Sequence, residues 1–127
     1  MIYLDTSAFL KSVWEERESA ALLDAIADRP TISSALLAIE ARRSTVRVDA
    51  ALLPRTDLLL GEVTQVDLSP AVLESASRMP DPRLRTLDAI HLATALLVRE
   101  ELSVLLSYDE RLLDAAAAHG IPTAAPA

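Results

Sequence analysis

The sequence predicts an α/β fold, a three-layer α/β/α sandwich with a mainly parallel central sheet. Short apolar segments typical of strands alternate along the chain with longer segments of helical character. Strands separated by helices pair in parallel in a sheet that helices cover on both faces, and right-handed crossovers leave few topologies. With 127 residues and no internal repeat or linker, the chain is expected to form one domain over residues 1–127.

The first half of the chain is divided by a break at residues 28–30, Asp-Arg-Pro. Its apolar start has the character of a buried strand. Ser33 or Ser34 is suited to cap the helix after the second strand, because a serine oxygen accepts a backbone N–H there. The predicted elements are a strand at 1–4, helices at 9–14 and 19–27, a strand at 31–33 and a helix to about residue 48.

The second half alternates in the same way, and its helices begin at polar or proline-containing positions. Ser69 followed by Pro70 starts a helix, Thr86 is suited to cap a long one, and Gly120 ends the last. The predicted elements are a helix at 54–61, a strand at 63–67, a helix from 69, a loop at 79–82, a helix at 86–101, a strand at 104–107, a helix at 109–119 and a strand at 121–123.

Composition excludes several classes of protein. The chain has no cysteine, which excludes disulfides, zinc fingers and thiol catalysis, and its two glycines are too few for a phosphate-binding loop. No apolar run approaches the roughly 18 residues that a membrane span needs, and the start lacks the basic segment of a signal peptide. We therefore expect a cytoplasmic protein with no membrane partner.

The net charge of −7 argues against a nucleic-acid partner, because affinity for phosphate comes from lysine and arginine. Lys11 is the only lysine, however, and all other basic residues are arginine. Arginine suits bidentate contacts with phosphate, although a biased genome explains the same preference. Composition leaves this question open.

Four acidic residues lie where a ligand site is expected. Asp5 ends the first strand, and Asp109 follows the strand at 104–107. Ligands gather at the carboxyl ends of parallel strands, so these two acids are expected to be close in space. Glu40 and Asp88 lie on helices among apolar neighbours. Taken singly, each acid has an ordinary explanation, as a helix cap, a turn residue or part of a solvated face.

Taken together, four carboxylates at one sheet edge repel one another unless a cation lies between them. The sequence places no lysine or arginine in an obvious pairing position near Asp5, Asp88 or Asp109. A hard divalent cation, Mg²⁺ or Mn²⁺, suits such oxygen ligands, lowers the pKa of bound water and neutralises phosphate charge. We therefore predict that these acids and Glu40 bind a metal ion. Relief of the repulsion predicts that asparagine at Asp5 or Asp88 stabilises the metal-free protein.

Four stretches of the sequence resemble a known family. The stretches MIYLDTSAFLK, SSALLAIEARR, LDAIHLATAL and LLSYDERLLDAAAAHGI are similar in content and order to the motifs of PIN-domain ribonucleases, specifically the VapC toxins of bacterial toxin–antitoxin pairs. The resemblance implies a Mg²⁺- or Mn²⁺-dependent endoribonuclease that cleaves structured RNA, such as tRNA or rRNA, at exposed single-stranded sites. It also implies a homodimer that is neutralised by a cognate VapB-type antitoxin.

The resemblance also implies roles for particular residues. The catalytic and metal-binding acids would be Asp5, Glu40, Asp88 and Asp109. The hydroxyl groups of Thr6, Ser7 and Ser107 match positions that support the acids through hydrogen bonds.

Five other side chains have two interpretations each. Arg43 lies one turn after Glu40 and either steers RNA phosphate toward the acids or is a solvated arginine; Arg47 is a weaker candidate of the same kind. His91 lies one turn after Asp88, so it either approaches the acid site or is a packed, hydrogen-bonded histidine, and the second interpretation is favoured. Core or dimer packing is favoured over base stacking or an antitoxin groove for Phe9 and Trp14.

Three other functions compete with a metal-dependent ribonuclease. A phosphoaspartate receiver domain needs a lysine near its last strands, and Lys11 is not there. A haloacid-dehalogenase phosphatase needs an Asp-x-Asp motif, which Asp5-Thr6-Ser7 lacks. The alternative that stays open is a catalytically silent PIN module that only binds RNA or protein.

Overall fold

The computed structural model describes residues 1–127 as one five-stranded sheet with seven α-helices. The strands are β1 (Ile2–Leu4), β2 (Thr31–Ser34), β3 (Val63–Val66), β4 (Val104–Leu106) and β5 (Thr123–Ala124). The helices are α1 (Thr6–Val13), α2 (Ser19–Ile26), α3 (Leu36–Asp49), α4 (Leu53–Leu60), α5 (Pro70–Ser77), α6 (Thr86–Leu97) and α7 (Glu110–Ala118), with short 3-10 turns at Ala50–Leu52 and Arg99–Glu101. No helix is both long enough and apolar enough to cross a membrane.

The strand order is β3-β2-β1-β4-β5, and every pair is parallel. The first strand of the chain is therefore the central one. Leu4 pairs with Leu106, so the residues that follow β1 and β4 meet at one edge of the sheet, about 100 residues apart in sequence. All strands run the same way, which confirms the predicted mainly parallel sheet.

Helices cover both faces of the sheet, which confirms the three-layer architecture. Successive side chains of a strand point to opposite faces. Ile2 and Leu4 therefore pack on one side with Phe9 of α1 and Leu37 of α3, within one apolar cluster. Tyr3 points to the other side, into a second cluster that includes Leu92 of α6 and Leu112 of α7. Phe9 is buried, as the core-packing interpretation predicted.

Helix starts differ from the predictions where a different residue satisfies the first N–H groups. α1 begins at Thr6 rather than residue 9, because Asp5 itself caps the helix. Ser34 Oγ accepts a hydrogen bond from the Leu36 amide at 3.1 Å, whereas Ser33 Oγ donates to the carbonyl of Leu4. The prediction of Thr86 as a cap is wrong, since Arg85 has the extended cap backbone and no side chain caps α6.

Element ends in the last third also depend on pairing and packing. α6 ends at Leu97, and a 3-10 turn follows, so the predicted helix to residue 101 is too long by one turn. The last strand lies at Thr123–Ala124, later than predicted, because it pairs in register with Leu105 and Leu106. The Ser69 cap is present, with its Oγ 3.2 Å from the Val72 amide. Gly120 has a φ of 82°, which explains why it ends α7.

Candidate active site

Asp5 lies at the carboxyl end of the central strand and is only 4% exposed. Its Oδ1 accepts hydrogen bonds from the Ala8 amide at 2.8 Å and from Ser7 Oγ at 2.7 Å, and its Oδ2 accepts one from Ser107 Oγ at 2.6 Å. Burial raises the pKa of Asp5, and these three hydrogen bonds oppose that shift. The residue is thus both the cap of α1 and a buried carboxylate aligned by two hydroxyl groups.

The two serine hydroxyls connect the ends of β1 and β4. Ser7 Oγ accepts a hydrogen bond from the Tyr108 amide at 2.9 Å, and Ser107 Oγ accepts one from the Asp109 amide at 3.0 Å. Each serine therefore donates to Asp5 while it accepts a backbone N–H from the segment between β4 and α7. This arrangement links the position of Asp5 to that of Asp109.

Glu40 projects from the first half of α3 and is partly buried. Its Oε1 accepts a hydrogen bond from Thr6 Oγ1 at 2.6 Å, and His91 Nε2 lies 2.8 Å from the same oxygen. Partial burial acts to raise the pKa of Glu40, but the hydrogen bonds from His91 and Thr6 outweigh it, and the pKa is lowered. Glu40 is therefore held as a carboxylate by α1 and α6 together.

Asp88 and Asp109 lie in one cavity with Glu40. Asp109 caps α7, because its Oδ1 accepts from the Arg111 amide at 2.9 Å. Burial raises the pKa of Asp88, and the negative charge of Asp109 raises it further. These two acids and Glu40 line one cavity of about 420 Å³, whose lining residues are Glu40, Arg85, Thr86, Leu87, Asp88, Asp109 and Arg111.

Three of the four predicted acids thus share a cavity, and the fourth lies beside it. Asp5 does not line the cavity but is joined to Asp109 through Ser107. With the side chains as they are placed, no three Asp, Glu or His groups are close enough to hold one ion. The donor set consists of hard carboxylate oxygens, and the repulsion between Asp88 and Asp109 is of the kind that a cation relieves, so its chemistry fits Mg²⁺ or Mn²⁺.

Sequence reasoning missed the two arginines of this cavity. Arg111 Nε lies 3.5 Å from Asp109 Oδ1, and Arg85 lines the same wall. The expectation that no arginine is near the acids is therefore wrong for Asp109. A usable signal was present, because a residue two positions after a helix cap lies in the first turn, beside the cap. Arg43, in contrast, is exposed and does not line the cavity.

His91 is 2% exposed and hydrogen-bonded, which confirms the interpretation as a packed histidine. The sequence did not reveal its partners. Its Nδ1 lies 2.8 Å from the Tyr3 hydroxyl and its Nε2 contacts Glu40, 51 residues away. Trp14 is partly buried against the α1 side of the core and donates its Nε1–H to Glu16 at 2.9 Å.

Comparison with known proteins assigns this chain to a class. The family model of the PIN domain matches residues 2–118. Ribonuclease VapC35 of Mycobacterium tuberculosis is 39% identical over 131 residues, which cover 99% of this chain and 97% of the relative. The chain therefore belongs to the PIN-domain family and, within it, to the VapC ribonucleases.

Solved structures agree on the fold. The sarcin–ricin-loop-cleaving toxin VapC20 of M. tuberculosis superposes with a TM-score of 0.76 at 16% identity, covering 99% of this chain and 100% of that one. VapBC2 of Rickettsia felis, bound to a DNA fragment from its promoter, gives a TM-score of 0.73 at 12% identity and covers all of both chains. At such identities these structures support the architecture only.

Asparagine at Asp88 and at Asp5 should change stability in opposite directions in the metal-free protein. The raised pKa of Asp88 means that protonation favours the folded state, so the native protein loses stability as pH rises from about 4, the ordinary carboxyl value, through the raised pKa of Asp88. Asp88→Asn should remove this loss and melt higher at neutral pH, with a difference that shrinks on acidification. Thermal melts in EDTA between about pH 3.5 and 8 measure it.

Asp5→Asn should instead lower the free energy of unfolding by about 1–3 kcal/mol, because an amide cannot accept all three hydrogen bonds. This revises the expectation that either substitution is stabilising. A melting temperature raised equally by both substitutions would show that removal of charge, rather than loss of hydrogen bonds, dominates at Asp5.

Proposed function

We propose that this protein is a Mg²⁺- or Mn²⁺-dependent endoribonuclease and the toxin of a VapBC-type pair. The observation that carries the proposal is the single cavity lined by carboxylates from α3, α6 and the cap of α7, beside Asp5 at the end of the central strand. Membership of the VapC ribonucleases supports it. The substrate class we propose is structured RNA, tRNA or rRNA, cleaved at an exposed single-stranded site.

The four acids Asp5, Glu40, Asp88 and Asp109 would hold the metal ion. When bound, Mg²⁺ or Mn²⁺ lowers the pKa of coordinated water and neutralises negative charge on the phosphate. The hydroxyls of Thr6, Ser7 and Ser107 orient the carboxylates by donating to them.

The same hydrogen bonds argue against a side-chain nucleophile. All three hydroxyl hydrogens point to carboxylates, and no serine, histidine and acid form a nucleophilic triad. Water is therefore the proposed nucleophile, and hydrolysis proceeds without a covalent enzyme intermediate.

RNA binding by a chain of net charge −7 requires local positive charge at the site. Arg85 and Arg111 supply it, since both line the acid cavity. Their guanidinium groups are suited to phosphates on either side of the scissile bond. Arg43 lies outside the cavity, and we propose a weaker, outer contact for it.

The proposed protein partners are a second copy of the chain and a VapB-type antitoxin. Ile39 and Val46 are exposed two turns apart on α3, a placement that supports a dimer contact near Glu40. Trp14 and the exposed Leu23 border a separate cavity of about 270 Å³ between α1 and α2, which supports an antitoxin segment that folds on binding.

Cleavage should require both the divalent ion and the acids of the cavity. Asp88→Asn and Asp109→Asn should each lower the cleavage rate by at least about 100-fold, because each removes charge from the catalytic cavity. Incubation of tRNA, rRNA and single-stranded RNA with Mg²⁺, with Mn²⁺ or with EDTA measures this directly. The matched control is Asp114→Asn, an exposed acid on α7 whose contact with Arg83 is 3.6 Å, and it should keep the rate within about twofold.

A native protein that binds these RNAs but cleaves none of them with either metal ion would favour the catalytically silent PIN module. The contact between Arg111 and Asp109 is the observation in favour of that alternative, because it partly neutralises one acid without a metal.

The cavity arginines should contribute more to RNA binding than Arg43. In an Asp88→Asn background, which prevents cleavage, Arg85→Gln and Arg111→Gln should each reduce the slope of log affinity against log salt by about 0.7, the value for one phosphate contact on a single strand. Arg42→Gln is the control, since Arg42 pairs with Asp57 away from the cavity. If Arg43→Gln reduced the slope by about 0.7 and Arg111→Gln left it unchanged, the RNA would bind outside the cavity.

The toxin role predicts growth arrest when the chain is expressed alone. Co-expression of the cognate antitoxin should restore growth and allow a stable complex to be purified. Asp88→Asn should also restore growth while still binding the antitoxin, because the α1–α2 surface is unchanged. Harmless expression of a soluble native chain that cleaves RNA in vitro would contradict the toxin role and leave the nuclease role intact.

A further inference from the structure

A buried chain of hydrogen bonds joins the central strand to Glu40. The Tyr3 hydroxyl lies 2.8 Å from His91 Nδ1, and His91 Nε2 lies 2.8 Å from Glu40 Oε1. Tyr3 is 0% exposed and His91 is 2% exposed, and their rings meet edge to face at 5.9 Å. No buried side-chain polar atom in the protein lacks a hydrogen-bond partner, and this includes the buried polar atoms of Tyr3 and His91.

The chemistry of the three groups sets the direction of the hydrogen bonds. A carboxylate only accepts, so His91 Nε2 carries a hydrogen that it donates to Glu40. In the neutral imidazole the other nitrogen is then an acceptor, and the Tyr3 hydroxyl donates to Nδ1. The Glu40 carboxylate therefore selects the Nε2–H tautomer of His91, and the Tyr3 hydroxyl satisfies the remaining nitrogen.

The fold brings the three residues together from three separate elements. Tyr3 is the one residue of β1 that packs among the side chains of the α6 and α7 side of the core, while Ile2 and Leu4 pack on the opposite side. His91 lies one helical turn after Asp88 on α6. The hydrogen-bond chain thus runs from the centre of the sheet, through the helix that carries Asp88, to α3.

Both donors to Glu40 bind the same oxygen. Thr6 Oγ1 and His91 Nε2 each contact Oε1, and Oε2 makes no hydrogen bond. A carboxylate held at one oxygen by two fixed donors has a defined rotamer and presents its second oxygen as a ligand. Glu40 lines the acid cavity, and Oε2 is its oxygen without a hydrogen bond.

We propose that His91 and Tyr3 are positioning residues, in which the Tyr3 hydroxyl holds the His91 ring through Nδ1 and the Nε2–H of His91 orients Glu40 so that Oε2 serves as a metal ligand. The part of this inference that concerns the metal rests on the proposed function. The part that concerns the tautomer and the orientation of Glu40 stands on the hydrogen bonds alone.

The tautomer is tested by NMR on the native protein. Two-bond ¹H–¹⁵N correlation spectra at about pH 8 should show His91 protonated at Nε2 only. His119 is an internal reference of the opposite kind, because its Nδ1 lies 2.9 Å from the carbonyl of Ala115 and must donate to it. Protonation of His91 at Nδ1, or at both nitrogens, would overturn the proposed arrangement. Tyr3→Phe should keep His91 protonated at Nε2, because Glu40 still accepts from it, and should shift the Nδ1 resonance, because Nδ1 loses its donor.

Two amide substitutions of His91 separate positioning from simple packing. In His91→Gln the amide nitrogen reaches the place of Nε2 and is able to donate to Glu40, whereas in His91→Asn the shorter amide reaches only the place of Nδ1. Mn²⁺ affinity, measured by calorimetry, should fall about 10–100-fold in His91→Asn and stay within about threefold in His91→Gln. Melting curves of the metal-free variants identify any that fail to fold.

Equal loss of Mn²⁺ affinity in both folded variants would overturn the positioning role, because it would show that only the imidazole ring matters. If the native protein bound no Mn²⁺, the proposed metal-dependent function would fail, and the role of His91 toward a metal would fail with it. The tautomer experiment would still decide whether Tyr3 and His91 orient Glu40. The two failures are therefore distinguishable.

Discussion

The constraint on which this structure depends is the placement of a carboxylate at the buried end of the central strand. Asp5 is almost inaccessible to water, and burial of its charge is unfavourable unless hydrogen bonds replace the lost solvent. Ser7, Ser107 and the Ala8 amide provide them. Because Ser107 follows β4, the carboxylate is satisfied only when β1 and β4 are paired in register, so the first acid of the site and the sheet form together.

The same strand supports the site on its other face. Alternation along β1 places Tyr3 opposite its neighbours, where its hydroxyl meets His91, and through His91 the strand reaches Glu40. The placement of this three-residue strand therefore affects two acids of the site, Asp5 directly after it and Glu40 through Tyr3 and His91. A parallel sheet with helices on both faces allows this, since the carboxyl end of its central strand is flanked by helices from both layers.

The electrostatics of the cavity explain how an acidic chain is suited to a polyanion. Net charge describes the whole surface, but binding and catalysis depend on the charges within a few ångströms of the reacting group. Glu40, Asp88 and Asp109 are placed against Arg85 and Arg111 in one cavity, where carboxylates suit a cation and guanidinium groups suit phosphate. The overall charge of −7 therefore does not argue against RNA in this protein.

The sequence by itself determined the alternation of strands and helices, the parallel sheet and the strand-end positions of Asp5 and Asp109, because hydrophobic periodicity and residue order are local properties. It did not determine where α6 begins, because no side chain caps that helix. It also did not determine the register that places the last strand at Thr123–Ala124. Only the tertiary structure decided that His91 contacts Glu40, that Tyr3 faces His91, and that Arg85 and Arg111 line the acid cavity. The physical reason is that the first two contacts join residues 51 and 88 positions apart, and local patterns predict which side chains are buried but not which of them meet.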